Sequence, residues 1–294
     1  MQGYHGRFLE VDLTNKTTTD LPLSEEFCKA YIGGATMAAA LVYERVEAGT
    51  DPLSPENSMV MATGPFTGTP LPMVSRYAIG GLSPLTGFWG EATSGGVFPF
   101  RLKGAGWDGI IINGKADSPV YLYLKGGQAE IRDARNIWGK DSYETQKIIK
   151  EELGNDKVAV ACIGPAGEKL IRYACVINDR GRAAGRCGFG AIMGSKNLKA
   201  VVAAGNARPE LGDAGKISAL AKQAVKDIKG NLVSVALSEY GTLMYMDMGM
   251  VLGDTPAKYF TRNVFPVSEV TGQALRQKYS VANYACRGCP IGCG

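Results

Sequence analysis

Histidine is almost missing: His5 is the only one in 294 residues, and it sits between Tyr4 and Gly6. That scarcity excludes an HExxH zinc site, a facial triad built on two histidines and a histidine-rich copper centre. A Ser-His or Cys-His hydrolase would have to recruit His5, which reads more simply as a turn or surface residue. Any metal acting on a substrate must be held mainly by something other than imidazole.

Other absences narrow the field further. A net charge of +4 is too weak to argue for nucleic acid. No apolar run approaches the roughly 20 residues that span a bilayer. Met1 to Leu13 has no basic segment followed by a long apolar stretch, so no signal peptide is expected. There are 39 glycines and 14 prolines, which predict many loops and turns but no low-complexity bias. The chain is 45% hydrophobic, enough for one large domain or two smaller ones. Seven cysteines with three of them clustered suit a reducing compartment better than a secreted disulfide scaffold, so a cytoplasmic protein is expected.

The alternation in Gly6 to Leu13 predicts a strand, with a hairpin through Asn15-Lys16 into Thr17–Thr19. Ser24 caps a predicted helix to Ile32, Gly33-Gly34 breaks it, and a second helix covers Ala35 to Val46. Ser58–Ala62, Asp108–Asn113, Val120–Leu124, Glu130–Asp133, Val158–Ile163, Leu170–Ile177 and Lys199–Ala204 read as strands. Ser142 is the expected N-cap of an amphipathic helix to Leu153. Thr63 to Phe98, thick with Gly, Ser, Thr and Pro, reads as ordered loops facing a ligand, because Phe66, Tyr77, Phe88, Trp89 and Phe98 are interleaved through it. Arg76, the only basic residue between Arg45 and Arg101, is a candidate anion anchor there, with a surface salt bridge as the alternative. After Gly205–Gly215 the composition changes and helices are expected over Lys216–Lys229, around Glu239–Met250 and over Gly272–Tyr279. The expected fold is α+β: residues 1–208 form a mixed-sheet domain, and residues 209–294 begin a helical one.

Two stretches carry chemistry. Cys286, Cys289 and Cys293 form a C-x2-C-x3-C run in which Gly288, Pro290 and Gly292 allow a tight turn. Three soft thiolates at this spacing suit an iron–sulfur cluster or zinc, each normally with a fourth ligand, while plain structural thiols remain the bland alternative. The second stretch runs from Asn178 to Lys196, where Arg180, Arg182 and Arg186 alternate with Gly181, Gly185, Gly188 and Gly190. Glycines let backbone N–H groups converge and arginines add bidentate contacts, so phosphate or pterin binding is favoured over a solvated basic loop. A helix starting near Gly190 would add its positive end. The run misses the Gly-x-Gly-x-x-Gly spacing, and Gly194-Ser195-Lys196 lacks the upstream glycine of a Walker A loop.

Gly181-Arg-Ala-Ala-Gly-Arg186, Met193-Gly-Ser-Lys-Asn-Leu-Lys-Ala200 and the cysteine run, together with Ser83-Pro-Leu-Thr-Gly87, Ser94-Gly-Gly96 and Ile163-Gly-Pro-Ala-Gly-Glu168, closely resemble the tungsten-containing aldehyde:ferredoxin oxidoreductases. The resemblance covers the whole chain. It implies an α+β base on which a tungsten bis-pterin of the molybdopterin type sits, followed by largely helical domains. The metal would be held by pterin sulfurs, which fits a chain with one histidine. On matching positions Arg76, Ser94, Gly95, Arg182, Ala183, Gly185 and Arg186 would contact the cofactor and its phosphates. A Mg2+ ion would bridge those phosphates through the backbone carbonyls of Thr93 and Ala183; asparagine is frequent in the family where Thr93 stands. Cys286, Cys289 and Cys293 would be three ligands of a 4Fe–4S cluster. The implied reaction is oxidation of a small aldehyde to a carboxylic acid, with electrons passing through the cluster to ferredoxin or an iron–sulfur electron-transfer subunit. Reduction of an aromatic thioester by a related subunit, or a non-catalytic iron–sulfur electron-transfer role, are the alternatives. Members run to roughly twice this length, two further domains of ordinary size. The fourth cysteine and the acid/base residues are therefore expected in the remaining C-terminal part of the enzyme, continuous with this chain or separate from it; that part, or a homo-oligomer, is the expected protein partner. Cys28, Cys162, Cys175 and Cys187 are expected to be core or incidental thiols.

Overall fold

The alternating apolar residues of the N-terminus do form a strand, β1 (Arg7–Asp12), hairpinned to β2 (Thr17–Pro22) with Arg7 opposite Pro22. The computed structural model describes residues 1–294. They divide into one unit of Met1–Thr69 with Val74–Gly212 and another of Pro70–Met73 with Asp213–Gly294. The first unit is built on two six-stranded sheets. The first sheet adds β3 (Met59–Thr63), β4 (Tyr77–Leu82), β5 (Trp89–Ser94) and β6 (Gly109–Asn113) in the order β2-β1-β6-β3-β4-β5. The second contains β7 (Val120–Lys125), β8 (Gln128–Asp133), β9 (Ala159–Cys162), β10 (Val176–Asn178), β11 (Arg182–Ala184) and β12 (Leu198–Ala203), ordered β11-β10-β9-β12-β7-β8. Only β1 with β6 and β7 with β12 pair in parallel, so both sheets are mixed and the α+β expectation holds.

Each sheet buries both faces, which is why its central strands are apolar without a break. One buried cluster joins the inner faces, with Leu9, Met61, Ile79 and Ile110 of the first sheet and Leu122, Ala161, Val176 and Val201 of the second. The same cluster takes in Phe98 and Leu102 of α3 (Phe98–Gly104) and Phe189, Ile192 and Met193 of α6 (Phe189–Ser195). The outer face of the first sheet is covered by α1 (Glu25–Tyr31) and α2 (Ala35–Tyr43) through Cys28, Met37, Ala38 and Leu41. Outside the second sheet Ile149 of α4 (Ser142–Glu152) packs on Tyr121, Val160 and Val202. The short α5 (Pro165–Glu168) lies against α6: a Cβ on Gly194 would stand 2.0 Å from the carbonyl oxygen of Gly167.

Three lysines are fully buried, and each is satisfied differently. Lys103 is paired with Asp108 at 2.7 Å, Lys199 with Glu168, and Lys196 donates to the carbonyls of Pro55 and Gly114 at 2.9 and 3.1 Å. Lys196 and Lys199 thus account structurally for part of the Met193–Ala200 block, whose two ammonium groups tie loops to the sheet.

Several sequence expectations need correction. The stretch 63–98 is not all loop, since it contains β4 and β5. Glycine hides β4 from a propensity reading, yet a Cβ on Gly80 would lie 2.3 Å from the Trp89 ring, so glycine is there for packing. The strand expected over 170–177 shrinks to Val176–Asn178, because Leu170 takes φ +57° and Ile171 N–H donates to Ala166 O in a turn. The N-cap of α4 is Asp141, not Ser142; its carboxylate accepts from Tyr143 and Glu144 N–H, both at 2.8 Å.

The second unit holds α7 (Ala214–Gly230), α8 (Leu232–Tyr240), α9 (Met246–Val251) and α10 (Gly272–Lys278). The helix expected around 239–250 is instead α8 and α9 separated by a 3-10 turn, since Gly241 ends α8 at φ +60°. Leu232, Val233, Val235, Met248, Val251 and Phe260 are exposed on this unit.

Candidate cofactor site

The arginine-rich stretch folds at the place where the two sheets touch at their edges. β5 is the edge of the first sheet, β11 the edge of the second, and the two strands lie against each other. β11 exists because the chain turns back after β10: Asn178 pairs with Arg182, Ile177 with Ala183 and Val176 with Ala184. This strand was not expected, for Arg-Ala-Ala flanked by glycines carries no apolar alternation. Arg182 is half-buried, while Ala183, Gly185 and Arg186 are exposed. A Cβ added to Gly185 would meet no protein atom within 4 Å, so the face over this turn is open.

On the opposite edge, Tyr77 pairs with Ser94 and Ala78 with Thr93. Arg76, exposed at the head of β4, donates from Nη2 to Thr93 Oγ1 at 2.6 Å. Neither the salt-bridge alternative nor a carboxylate partner is seen for this side chain, which reaches a hydroxyl instead. Ser94 is buried and donates to Asn178 Oδ1 at 2.8 Å, and Gly95 O accepts from Asn178 Nδ2 at 2.8 Å. The structure therefore brings Arg76, Thr93, Ser94 and Gly95 together on one edge and Arg182, Ala183, Gly185 and Arg186 on the other. Asn178 lies between the two groups. Asn178 and Asp179 were not singled out in the sequence; their only signal is a polar pair placed directly at a strand end.

One expected contribution fails. α6 does not offer its positive end to this site: Gly190 N–H donates to Ala174 O at 2.9 Å, and every residue of α6 is buried. Gly190 and Gly194 answer helix packing rather than an anion, since a Cβ on Gly190 would lie 2.5 Å from Cys175 O. The N-terminus of α3 is occupied too, because Val97 and Phe98 N–H donate to Asp179 Oδ2 at 2.6 and 2.8 Å.

The three clustered cysteines lie in the second unit on a loop that closes on itself. Tyr284 and Gly294 exchange two backbone hydrogen bonds, Tyr284 N–H to Gly294 O at 2.7 Å and Gly294 N–H to Tyr284 O at 3.1 Å. Inside it Cys289 N–H donates to Cys286 O at 3.0 Å, and Gly288 and Gly292 take φ +73° and +65°. All three thiols are free, Cys293 exposed and the other two half-buried. They share a loop without being gathered into a metal-binding group: no set of three or more Cys, His, Asp or Glu side chains stands at ligand spacing. The loop is anchored by residues that no motif marks. Asn283 Nδ2 donates to Ser238 O at 2.5 Å, Arg276 Nη2 to Asn283 Oδ1 at 3.0 Å, and Arg276 Nε to Glu239 O. These donors satisfy carbonyls that the last turn of α8 leaves unpaired. Gly272, one turn before Arg276 on α10, lets the helices close, for a Cβ there would lie 2.6 Å from Tyr240 Cβ.

The remaining cysteines belong to the first unit. Cys28 and Cys162 are buried, and burial raises both thiols, Cys162 to about 12. Cys175 and Cys187 are half-buried, with Cys187 Sγ 3.4 Å from Glu91 O. A thiol held neutral by burial is a poor metal ligand, which supports a packing role for Cys28 and Cys162.

Residues 8–205 match the family model for the aldehyde ferredoxin oxidoreductase N-terminal domain, and residues 219–294 match that for domains 2 and 3 of the same proteins. The chain belongs to the aldehyde ferredoxin oxidoreductase family. It is 45% identical over 296 aligned residues to a tungsten-containing aldehyde ferredoxin oxidoreductase of Pyrococcus abyssi, covering 100% of this chain and 49% of that protein. The aliphatic sulfonate oxidoreductase WOR-like subunit of Pyrococcus furiosus is 31% identical over the same shares, 100% and 49%. Among solved structures the active-site complex BamBC of benzoyl coenzyme A reductase, in complex with 1,5-dienoyl-CoA, superposes with TM-score 0.87 at 30% identity, over 99% of this chain and 47% of that one. The chain thus spans about half the length of the relatives it matches. No helix is long and apolar enough to cross a membrane.

Proposed function

We propose that this chain is the cofactor-bearing half of a tungsten-pterin aldehyde oxidoreductase, with residues 1–208 as the base for the bis-pterin and residues 209–294 beginning the domain that carries a 4Fe–4S cluster. The observation that carries the reading is the joint between β5 and β11, where Arg76, Arg182 and Arg186 come from two sheets to one open edge. The donor set fits a phosphorylated group: planar guanidinium forks match phosphate oxygens bidentately, and the exposed, side-chain-free Gly185 leaves room for close approach. It also fits a metal held by the cofactor's own sulfurs, since one histidine cannot supply a transition-metal site.

Arg182 and Arg186 hold the phosphates in this proposal, Ser94 and Gly95 line the opposite edge, and the carbonyls of Thr93 and Ala183 take Mg2+. Arg76 places a fixed charge beside the cofactor, oriented by Thr93 Oγ1. Cys286, Cys289 and Cys293 supply three thiolates from the closed loop, and their donor chemistry fits iron–sulfur ligation. When bound, the tungsten pterin supplies the two-electron chemistry that converts an aldehyde and water to a carboxylic acid, two protons and two electrons. The electrons would leave for ferredoxin or an iron–sulfur subunit. The fourth thiolate, the acid/base groups and the substrate pocket come from the rest of the protein, continuous with this chain or separate from it. Similarity to the benzoyl coenzyme A reductase complex keeps an aromatic thioester as a second reading, but 45% identity against 30% favours the aldehyde.

Arg182→Ala and Arg186→Ala test the site. Each removes a charge-assisted contact worth about 2 kcal/mol, so each should lower pterin and tungsten content of the complete protein with its fold retained. Normal pterin content in both variants would refute the assignment.

A further inference from the structure

We propose that Asn178, together with Asp179, is a positioning residue that sets the register between the two phosphate-binding edges, and that it must be an amide to do so. The proposal rests on the reading of Arg76, Arg182 and Arg186 as the residues that hold the cofactor's phosphates.

Asn178 is 0% exposed at the joint between the sheets. A carboxamide has two acceptor lone pairs and two N–H donors, and here all four are used. Oδ1 accepts from the Tyr77 hydroxyl at 3.2 Å and the Ser94 hydroxyl at 2.8 Å. Nδ2 donates to Gly95 O at 2.8 Å and to Asp179 Oδ2 at 2.9 Å. Through its backbone the same residue pairs with Arg182. This residue therefore holds the end of β5 through its side chain and the start of β11 through its backbone.

Asp179 extends the tie. Its Oδ2 also accepts from Val97 and Phe98 N–H, so the turn after Gly95 is fixed as well. Gly96, at φ +99°, passes so close that a Cβ would lie 2.2 Å from this oxygen. Ser75 Oγ donates to Gly96 O at 2.8 Å, which brings in the segment that continues into Arg76. Asp179 and Arg180 both hold positive φ, 44° and 66°, a conformation costly for residues with a Cβ and kept only where surroundings impose it. The edges that would grip the phosphates are thus aligned by a buried polar network behind them.

The network discriminates shape from polarity. Aspartate at 178 has nearly the size of asparagine, but it would turn an oxygen toward Gly95 O and the Asp179 carboxylate, where the amide donates. A residue that only fills space would tolerate this; one that donates would not.

The test compares wild type, Asn178→Asp, Asp179→Asn and Arg182→Ala in the complete protein, reading pterin and tungsten content beside thermal stability. Asn178→Asp should lose pterin by at least about threefold near pH 8, and recover part of it near pH 6, where the introduced acid is protonated and can donate again. Wild type should show no such dependence. If Arg182→Ala loses pterin while folded Asn178→Asp keeps it at both pH values, the positioning role is wrong and the phosphate reading stands. If Arg182→Ala also keeps its pterin, both fall together. Should Asn178→Asp not fold, Asp179→Asn decides the matter: one Asp179 oxygen accepts from Val97 N–H, Phe98 N–H and Asn178 Nδ2, a load that a neutral amide oxygen bears more weakly, and unchanged pterin content there overturns the proposal.

Discussion

Replacing Asp108 by asparagine should destabilise the first unit by about 3 to 5 kcal/mol, because it strands a buried ammonium. Lys103 Nζ lies 2.7 Å from Asp108 Oδ1, with side chains 0% and 1% exposed. Without the carboxylate, Lys103 keeps Gly64 O at 3.1 Å and the face of the Tyr4 ring at 5.3 Å, and neither carries a full negative charge. Burial already pushes the Lys103 pKa down, with Asp108 opposing it, so losing Asp108 drives it lower still. Asp108 also accepts from the backbone N–H groups of His5, Gly6 and Arg7 at 3.1, 2.8 and 3.3 Å, and an amide can replace only part of that. Lys103→Met should cost less, about 1 to 3 kcal/mol, since the remaining carboxylate keeps its three N–H donors. Because each partner compensates the other, Lys103→Met/Asp108→Asn should be more stable than the sum of the single changes allows. Urea unfolding of all four proteins gives the double-mutant cycle directly. A cost below about 1 kcal/mol for Asp108→Asn, or strict additivity in the double variant, would refute the view that this pair is a compensated buried charge.

Three further outcomes follow from other sites. Arg76→Lys keeps a charge but loses the planar fork that reaches Thr93 Oγ1, so it should lower the pterin and tungsten content of the complete protein; unchanged pterin content in Arg76→Ala would count against the role. Arg276→Met removes the donor that links Glu239 O to Asn283, so the complete protein should lose iron to a chelator faster, and Arg276→Lys should not restore it; equal rates in all three would separate this clamp from the cysteine loop. Burial lowers the Lys196 pKa from 10.5 to about 8, so the folded state binds its proton less tightly than the unfolded state does. Its contribution to stability is therefore fully present above pH 10.5 and lost as pH falls through about 8. Melting curves should show wild type gaining on Lys196→Met across that window, and parallel curves would contradict it.

The sequence made legible what apolar pattern and ligand chemistry can show. β1, β6 and β7 announce themselves by Val, Ile, Leu and Tyr, and the cysteine run and the arginines stand out by type and spacing. β4 does not, since Gly80 and Gly81 look like loop residues until the Trp89 ring and the Ser58 carbonyl are seen against them. The glycines of α6 mislead in the other direction: their density suggested an anion, and two of them serve contacts with Gly167 and Cys175. Asn178, Asp179, Arg276 and Asn283 were invisible because each acts mainly through partners 37 to 101 residues away or through a strand end, which no local spacing reveals. The family resemblance supplied the candidate cofactor residues; the joint between β5 and β11 supplies a physical reason for them to work together.

Metal and pterin analysis of the anaerobically purified complete protein decides whether the β5–β11 joint holds a tungsten pterin. Tungsten or molybdenum should appear together with pterin and iron, with Arg182→Ala and Arg186→Ala depleting the metal and pterin and leaving the iron. Iron without tungsten, molybdenum or pterin would contradict the cofactor site, and zinc alone would contradict the cluster assigned to Cys286, Cys289 and Cys293.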